Sequence, residues 1–528
     1  MTDIQSATSS DASNPSDPPC VDVVTNRDEE SFTRVLNGFS DESLSLYFIY
    51  NLLEHKERSH TVSVCALRLA HFRSVFNKIN ILHDGPELAC NFLSAVEREL
   101  IESGTVDAVF NPDDDGGTQF EIARALFRLS PKRSMRILKS IEKDSQGQSR
   151  NPVWYAIRAD TVSATRFYDV YSSCKLDVLC GIDENSVRRG CEAVRFGVQC
   201  EPIVRTVLEE FVTGRRDVCG DIGVLLDPSS GVLGASLDFC VGICRDDDGL
   251  LNVSAGAAIF EIKCRFKYLR TRDDVVVKDL IDNPNLRTFA ALILSHDVPA
   301  VEFRQPGEVP TARESLVSYD KVFRRDRKRR RSGIVPKVFA SWIDGLLEKN
   351  ADVVSKVFVF DTRRVSRRSS VTSKDSSDNG DDEYLELINK AIFTAPIFIN
   401  PRHSYYCQTL LQQYILSQYY INAHHDPERM SSNELPSVTL VSAILRKRAE
   451  SERGKIIRIN GRRSDCEEIP LCLILTPVRL DPLFTRDAVT CVLNTWERDV
   501  SRKVGIPLWV HNSVNEYVAA CIPRAPTP

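Results

Sequence analysis

The sequence predicts an α/β fold preceded by a helical N-terminal region, and three observations carry that reading. From about residue 31 to 145, apolar side chains recur at three- and four-residue spacing, as in ELACNFLSAVERELIES, which is the period of a helix. Gly220 to Lys267 reads instead as two buried strands with a turn-rich connection. Later, KIIRING and PLCLILTPVRL read as buried strands that extend the same sheet, with helical stretches between them.

At 528 residues the chain is long enough for more than one core or for one large domain. A net charge of -5 and a pI near 6.1 exert no global pull on nucleic acid, so any such surface has to be a local patch. The 16 cysteines are scattered without a CxxC pair, and several lie in apolar strands. That fits reduced thiols inside a cell better than a disulfide framework. Cys240 and Cys244 are the nearest approach to a zinc pair, but no second pair or suitably spaced His follows. No apolar run reaches about 18 residues, so no membrane span is expected. The polar, acidic N-terminus is unlike a signal peptide.

Taken in order, residues 1 to about 30 are rich in Ser, Asp, Pro and Thr and read as a disordered tail. In the helical region, SLSLYFIYNLLEHKERSHTVSVCALRLAHFRSVF and PKRSMRILKSIEKD are further helices, and NPDDDGGTQ is a loop. Basic residues there, such as Lys132 and Arg133, suit a solvated helix face. In QSRNPVWYAIRADTVSATRFY, Arg158 precedes a hydroxyl-rich turn, Thr161 to Thr165. A guanidinium among hydroxyls suits a phosphate. The same residues also suit a helix N-cap beside a surface arginine. A helix is expected from about Cys200 through PIVRTVLEEFV, where Pro202 fits an early position. Glu201 then falls in the first turn, where it offsets the helix dipole or reaches a metal held by the following strands.

In the central stretch, acidic residues stand where the apolar pattern predicts none. Asp238 ends the run LGASLD, and Glu261 and Lys263 sit one residue apart in AAIFEIKCRF. Residues i and i+2 of a strand face the same way, so Glu261 and Lys263 share a face, opposite Phe260 and Ile262. A carboxylate and an ammonium inside an apolar strand are costly to bury unless paired or holding an ion. Two readings stand: a salt bridge between neighbouring strands, or Asp238 and Glu261 converging beside Lys263 to hold a divalent cation and orient a water.

After Lys267, VVVKDLIDNPNLRTFAALILS reads as helix and loop. An exposed loop ends in RRDRKRRR, Arg324 to Arg331, with seven basic residues in eight. It reads as a nuclear localisation segment, a DNA-contacting flap or a solvated loop. KVFASWIDGLLEK and DVVSKVFVFD follow as helix and strand, and residues 363 to 383 as a mobile polar loop. EYLELINKAIFT reads as a helix and APIFIN as extended. PRHSYYCQTLLQQYILSQYYINAHH reads as a long amphipathic helix carrying Arg402, Tyr405 and Gln408 at three-residue steps. AVTCVLNTWERDVSRKV is expected to be the last helix. The expected organisation is a tail over 1–30, a helical region over 31–145, a core over 146–350, the polar loop, and a C-terminal part over 384–528 that completes the core.

Seven ordered blocks between about residues 145 and 480 carry a family likeness: GQSRNPVWYAIRADTVSATRF, FGVQCEPIVRTVLEEF, GVLGASLDFCVG, FEIKCRFKY, NPNLRTFAALI, NPRHSYYCQ and LCLILTPVRLDP. Together they resemble the herpesvirus alkaline nucleases, and D-x(22)-E-x-K is the pattern of the PD-(D/E)XK superfamily, which includes phage-type exonucleases. The resemblance implies a restriction-endonuclease-like core, with a central mixed sheet flanked by helices and a DNA-binding canyon between two lobes. It implies a Mg2+-dependent alkaline deoxyribonuclease, mainly a 5′→3′ exonuclease with some endonuclease action, with Mn2+ as an alternative ion. Glu201, Asp238 and Glu261 fall on the family's metal-binding carboxylates, Ile262 on the residue that lends a carbonyl, and Lys263 on the catalytic lysine. Gln148, Arg158, Ser163, Thr165 and Ser236 match positions near the substrate phosphate, with Gln146 close to the first. Gln408 matches the glutamine of the late helix, with Arg402 and Tyr405 on its DNA-facing side.

The same resemblance implies duplex DNA with 5′ ends as substrate, and work in the host nucleus, with the host cytoplasm as a second location. It implies trimming of branched or concatemeric DNA for packaging, and cooperation with the viral single-stranded DNA-binding protein in recombination. Some members of the family also degrade host messenger RNA, for which this sequence carries no decisive feature. Two other classes compete: a non-catalytic DNA-binding module of the same fold, and a structural protein whose strand carboxylates only pair with Lys263.

Overall fold

The computed structural model describes residues 68–69, 72, 91–104, 129–159, 161–174, 192–214, 218–296, 298, 300–303, 337–366, 383–424, 433–496, 498 and 508–521. The expected tail over 1–30, the basic run Arg324 to Arg331 and most of the polar loop lie outside the described residues.

Helix α1 (Asn91–Glu102) packs on α2 (Pro131–Asp144), which opens with a proline and is capped by Ser130. Asp144 ties the two together by accepting from Phe92 N and Asn91 Nδ2, both at 2.7 Å. Next come α3 (Pro152–Ala159), β1 (Val162–Ser163), α4 (Ala164–Ser173) and α5 (Glu192–Val207). The strands β2 (Val218–Cys219), β3 (Leu225–Leu226), β4 (Leu233–Ala235), β5 (Phe239–Arg245) and β6 (Leu251–Cys264) follow. Helices α6 (Val275–Asp282) and α7 (Leu286–Leu294), β7 (Val301–Phe303), α8 (Lys337–Ala351), β8 (Ser355–Ser366), β9 (Glu383–Ala395) and β10 (Ile397–Ile399) lead to the long α9 (Ser404–His424). The chain finishes with β11 (Ser437–Arg446), β12 (Ile457–Ile459), β13 (Arg462–Ser464), β14 (Ile469–Pro477), α10 (Pro482–Trp496) and α11 (Leu508–Cys521).

A 9-stranded sheet in the order β13-β12-β9-β8-β14-β11-β6-β5-β2 forms the centre. It is mixed: β11 runs parallel to β6 and β12 to β9, while the other neighbours are antiparallel. Alternation along the strands separates two cores. On β11, Val438, Leu440 and Ile444 turn to one face, and Val441, Ala443 and Leu445 to the other. The first face packs on α9 and the N-terminal helices, the second on α5 through Phe196, Cys200 and Ile203. A mixed sheet with helices on both faces is the α/β class read from the sequence. Strand β6 links both cores, since Ile259 faces α9 and Ile262 faces α5. Glu261, in step with Ile259, therefore points at α9.

Five local expectations need correction. EYLELINKAIFT is strand β9, because β8 pairs with it along its whole length and Leu385 and Leu387 alternate inward. Tertiary pairing overrides its helix-like spacing. Helix α5 starts at Glu192, so Pro202 and Glu201 lie inside it and not in its first turn. The carbonyl that Pro202 leaves unbonded is that of Val198, a residue 63% exposed, so the lost bond falls on the solvent side of α5. Asp238 does not end a strand: β4 stops at Ala235 in a separate 3-stranded sheet, and Asp238 immediately precedes β5. Helix α9 is not amphipathic but buried all round from Tyr406 to Leu411, and it starts at Ser404, beyond Arg402. Finally, α11 follows α10, so the chain has a later helix than expected.

Candidate active site

Glu261 and Lys263 reach one face of β6, and α9 meets them there. Gln408 Nε2 donates to Glu261 Oε1 and Gln412 Nε2 to Oε2, each at 2.5 Å. Lys263 also donates to Oε1. Glu261 is 1% exposed, with both oxygens bonded. A carboxylate offers about four lone-pair sites, so capacity for a cation remains. Asp238 Oδ2 accepts the N–H of Ile262 at 2.8 Å, which pins the start of β5 between Glu261 and Lys263.

The electrostatics follow from this crowding. Burial, then the charge of Glu261, push the Asp238 carboxyl well above its ordinary range, and Glu201 adds to the rise. Lys263 and the Ile262 N–H pull the other way and lose. Burial works against the charge of Lys263, but Glu261 and Asp238 overcome it and raise the ammonium's pKa. The Tyr405 ring lies 5.0 Å from Lys263 Nζ and 5.7 Å from Arg265 Cζ. Arg265 is buried and donates Nε and Nη2 to Ser442 Oγ at 3.2 and 2.7 Å. Beside them, burial and the two cations Arg265 and Lys263 pull His403 down to about 4, so its imidazole is neutral at pH 7. Its Nδ1 accepts the N–H of Tyr405 at 3.2 Å.

Glu201, Asp238, Ile262, Lys263, Arg265 and Tyr405 line one cleft of about 420 Å³. Glu201 enters it from α5, and its Oε1 accepts from Arg205, one turn on, at 2.5 Å. Among the described residues, Glu201, Asp238 and Glu261 are not a set whose ligand atoms all lie within 4.8 Å of one another. Arg205 holds Glu201, and the α9 glutamines hold Glu261. The donors are nonetheless all oxygen, which suits a hard divalent cation. The repulsion that raises Asp238 is what such a cation relieves.

A second cluster forms around Trp154 of α3. Its Nε1 donates to Ser236 Oγ at 2.9 Å, and Arg158, one turn on, lies over its ring with Cζ 4.2 Å from the centroid. Arg158 Nη2 donates to Thr165 Oγ1 at 3.2 Å, and the Ser163 and Thr165 hydroxyls lie 3.0 Å apart. Ser163 occupies the N-cap position of α4, but its hydroxyl makes no capping bond. The cap reading and the phosphate reading thus meet in one residue: a helix N-terminus, a guanidinium and two hydroxyls converge.

Gln148 has φ 47°, in the left-handed region, and its amide donates to Ile222 O and Leu237 O at 3.1 and 3.2 Å. It steadies the residue before Asp238, whereas Gln146 turns toward the Arg245 guanidinium. Arg402 precedes α9, and its N–H donates to Asn400 Oδ1 at 2.9 Å. Gln408, expected to match the late-helix glutamine with Arg402 and Tyr405 on its DNA-facing side, is buried against Glu261. Sequence reasoning missed Gln412, Trp154, Arg205 and Arg265. Gln412 and Arg205 stand four residues from Gln408 and Glu201, and Trp154 four before Arg158, so helical spacing was the signal available.

Residues 35–514 match the family described as viral alkaline exonuclease. The chain is 37% identical to the alkaline nuclease of human cytomegalovirus (strain AD169), over 95% of this chain and 98% of that protein. It superposes on the shutoff and exonuclease protein of Kaposi's sarcoma-associated herpesvirus with a TM-score of 0.63 at 24% identity, covering 90% of this chain and 96% of that one. A SOX–DNA complex matches with a TM-score of 0.60 at 22% identity, covering 90% and 93%. These two structural likenesses bear on the fold.

Proposed function

Because this chain belongs to the viral alkaline exonuclease family and is a nuclease, we propose that it hydrolyses phosphodiester bonds of duplex DNA from 5′ ends, with Mg2+ as its metal. The observation that carries the reading is the bond from Ile262 N to Asp238, which holds that carboxylate in one cleft with Lys263, itself bonded to the buried Glu261. Glu201, Asp238, Glu261 and the Ile262 carbonyl would hold the ion. When bound, Mg2+ polarises the phosphate and acidifies a coordinated water.

The chain's own groups do the rest. Gln408 and Gln412 fix the direction of Glu261. Lys263 brings positive charge to the phosphate as charge builds on it. Arg158, Ser163 and Thr165, with Ser236 held by Trp154, seat a terminal 5′ phosphate. Seating an end group favours exonuclease action over internal cleavage. A relative of similar fold is described as a DNA complex, which supports DNA as the ligand. The proposal extends, on the family resemblance read from the sequence, to branched and concatemeric viral DNA in the host nucleus, beside the viral single-stranded DNA-binding protein.

Digestion of end-labelled linear duplex, with and without Mg2+, tests the proposal. Wild type should digest from the 5′ end and only with the ion. Lys263→Ala and Asp238→Ala should fold and bind DNA but lose digestion by at least about 100-fold. Full digestion by either variant contradicts it.

A further inference from the structure

Outside the acidic cleft, Cys200, Cys466 and Glu468 bring two sulfurs and a carboxylate oxygen within 4.8 Å of one another. They come from α5 and from the segment between β13 and β14, with Cys200 and Glu468 268 positions apart. Glu468 Oε2 stands 3.6 Å from each sulfur. In a tetrahedral zinc shell, with Zn–S about 2.3 Å and Zn–O about 2.1 Å, the sulfur-to-oxygen edge is about 3.6 Å. Both edges already have the length that zinc would impose.

The surroundings hold this geometry in place. Arg448 donates Nη2 to Cys466 O at 2.9 Å and Nε to Glu467 O at 2.8 Å, which fixes the segment from behind. Cys200 is fully buried, while Cys466 and Glu468 are half-buried at a groove that also takes in Gln199, Thr206 and Ser464. An ion therefore has a way in. None of the three residues has a role in the proposed cleavage.

We infer that Cys200, Cys466 and Glu468 form a zinc site, with water at the fourth vertex, that ties α5 to the β13–β14 segment. Thiolate ligands select zinc over magnesium, so this site and the all-oxygen cleft take different ions. Cys200 directly precedes Glu201, so zinc bound here fixes the turn of α5 that presents Glu201 to the cleft.

Full-length protein, reduced and stripped of metal, is titrated with Co2+ as a spectroscopic probe and then with Zn2+ against a chromophoric chelator. The expected result is one tight equivalent per chain, with tetrahedral visible bands and a thiolate-to-cobalt charge-transfer band that Zn2+ abolishes. Cys466→Ser should weaken that band, and Cys466→Ser and Glu468→Gln should each lose at least about tenfold in zinc affinity. Asp238→Asn, and Cys244→Ser at an exposed thiol, should bind as wild type does. Thermal unfolding verifies that each variant is folded. The inference is overturned by a reduced wild type without the thiolate band, or by unchanged affinity in both Cys466→Ser and Glu468→Gln. It is equally overturned if Cys200 and Cys466 isolate as a disulfide and bind no metal once reduced.

Discussion

Gln412 donates its amide to Glu261 Oε2 at 2.5 Å, one helical turn beyond Gln408, which donates to Oε1. A helix buried all round thus presents two amides to a carboxylate with almost no exposure. Gln412→Leu leaves that oxygen without its donor in a dry site. The expected loss is about 1–3 kcal/mol of stability in urea unfolding, because a buried acceptor goes unsatisfied. Turnover should fall while DNA affinity stays close to wild type. Unchanged turnover would mean that Gln412 does not orient Glu261.

The Arg158 cluster predicts end selectivity. Wild type should digest a 5′-phosphorylated duplex faster than its 5′-hydroxyl counterpart. Arg158→Ala should erase the difference, with a loss of about 1.5–3 kcal/mol, or tenfold and more, confined to the phosphorylated end. Equal wild-type rates on the two ends would remove the phosphate pocket from the account.

Glu452 predicts an acid limb. Arg446 donates to its two oxygens at 2.7 and 2.8 Å, Thr362 Oγ1 at 2.6 Å and Ala449 N at 2.8 Å. Burial acts to raise this carboxyl, but the donors win and hold it at about 2, against an ordinary value of 4.5. A depressed carboxylate stabilises the fold fully above its unfolded pKa, and that contribution drains away as pH falls from about 4.5 to about 2. The amount is on the order of 3 kcal/mol. Glu452→Gln should flatten this limb in urea titrations across pH. It should also destabilise the protein at pH 7 by about 3 kcal/mol, the low end for a broken buried pair, because Arg446 keeps Asp361 at 3.5 Å.

Two glycines should respond in opposite ways. A Cβ on Gly223 would run into the Glu142 carbonyl and the Ser145 hydroxyl. These residues also receive the N–H groups of Gly223 and Val224 at 2.7 and 2.8 Å. Gly223→Ala should cost about 1–3 kcal/mol and lower the melting temperature. Gly345 lies on α8 with nothing within 4 Å of such a Cβ, and Gly345→Ala should gain up to about 1 kcal/mol.

What the sequence made legible follows one physical rule: local spacing is readable and distant contact is not. Glu261 and Lys263 on one face of a strand could be read because i and i+2 alternate, and the chain folds that way. Strand β9 is not legible in this way, because ELINKAI carries a helical spacing and only its pairing with β8 decides its state. Pro202 suggested a helix start, since a sequence does not reveal that the carbonyl it orphans lies on a solvated face. Arg402, Tyr405 and Gln408 read as one stripe of an amphipathic helix, whereas packing encloses α9 on every side from Tyr406 to Leu411. Cys200 and Glu468 could not have been joined at 268 positions apart.

Crystals of the wild-type protein soaked in Mn2+ and measured at the manganese edge locate the ion directly. The account predicts an anomalous peak between the Asp238 and Glu261 carboxylates, within reach of the Ile262 carbonyl and beside Lys263, that vanishes in Asp238→Asn. A saturated wild-type crystal with no peak there, Glu261 still held only by Gln408, Gln412 and Lys263, and DNA still digested by the same preparation would contradict it.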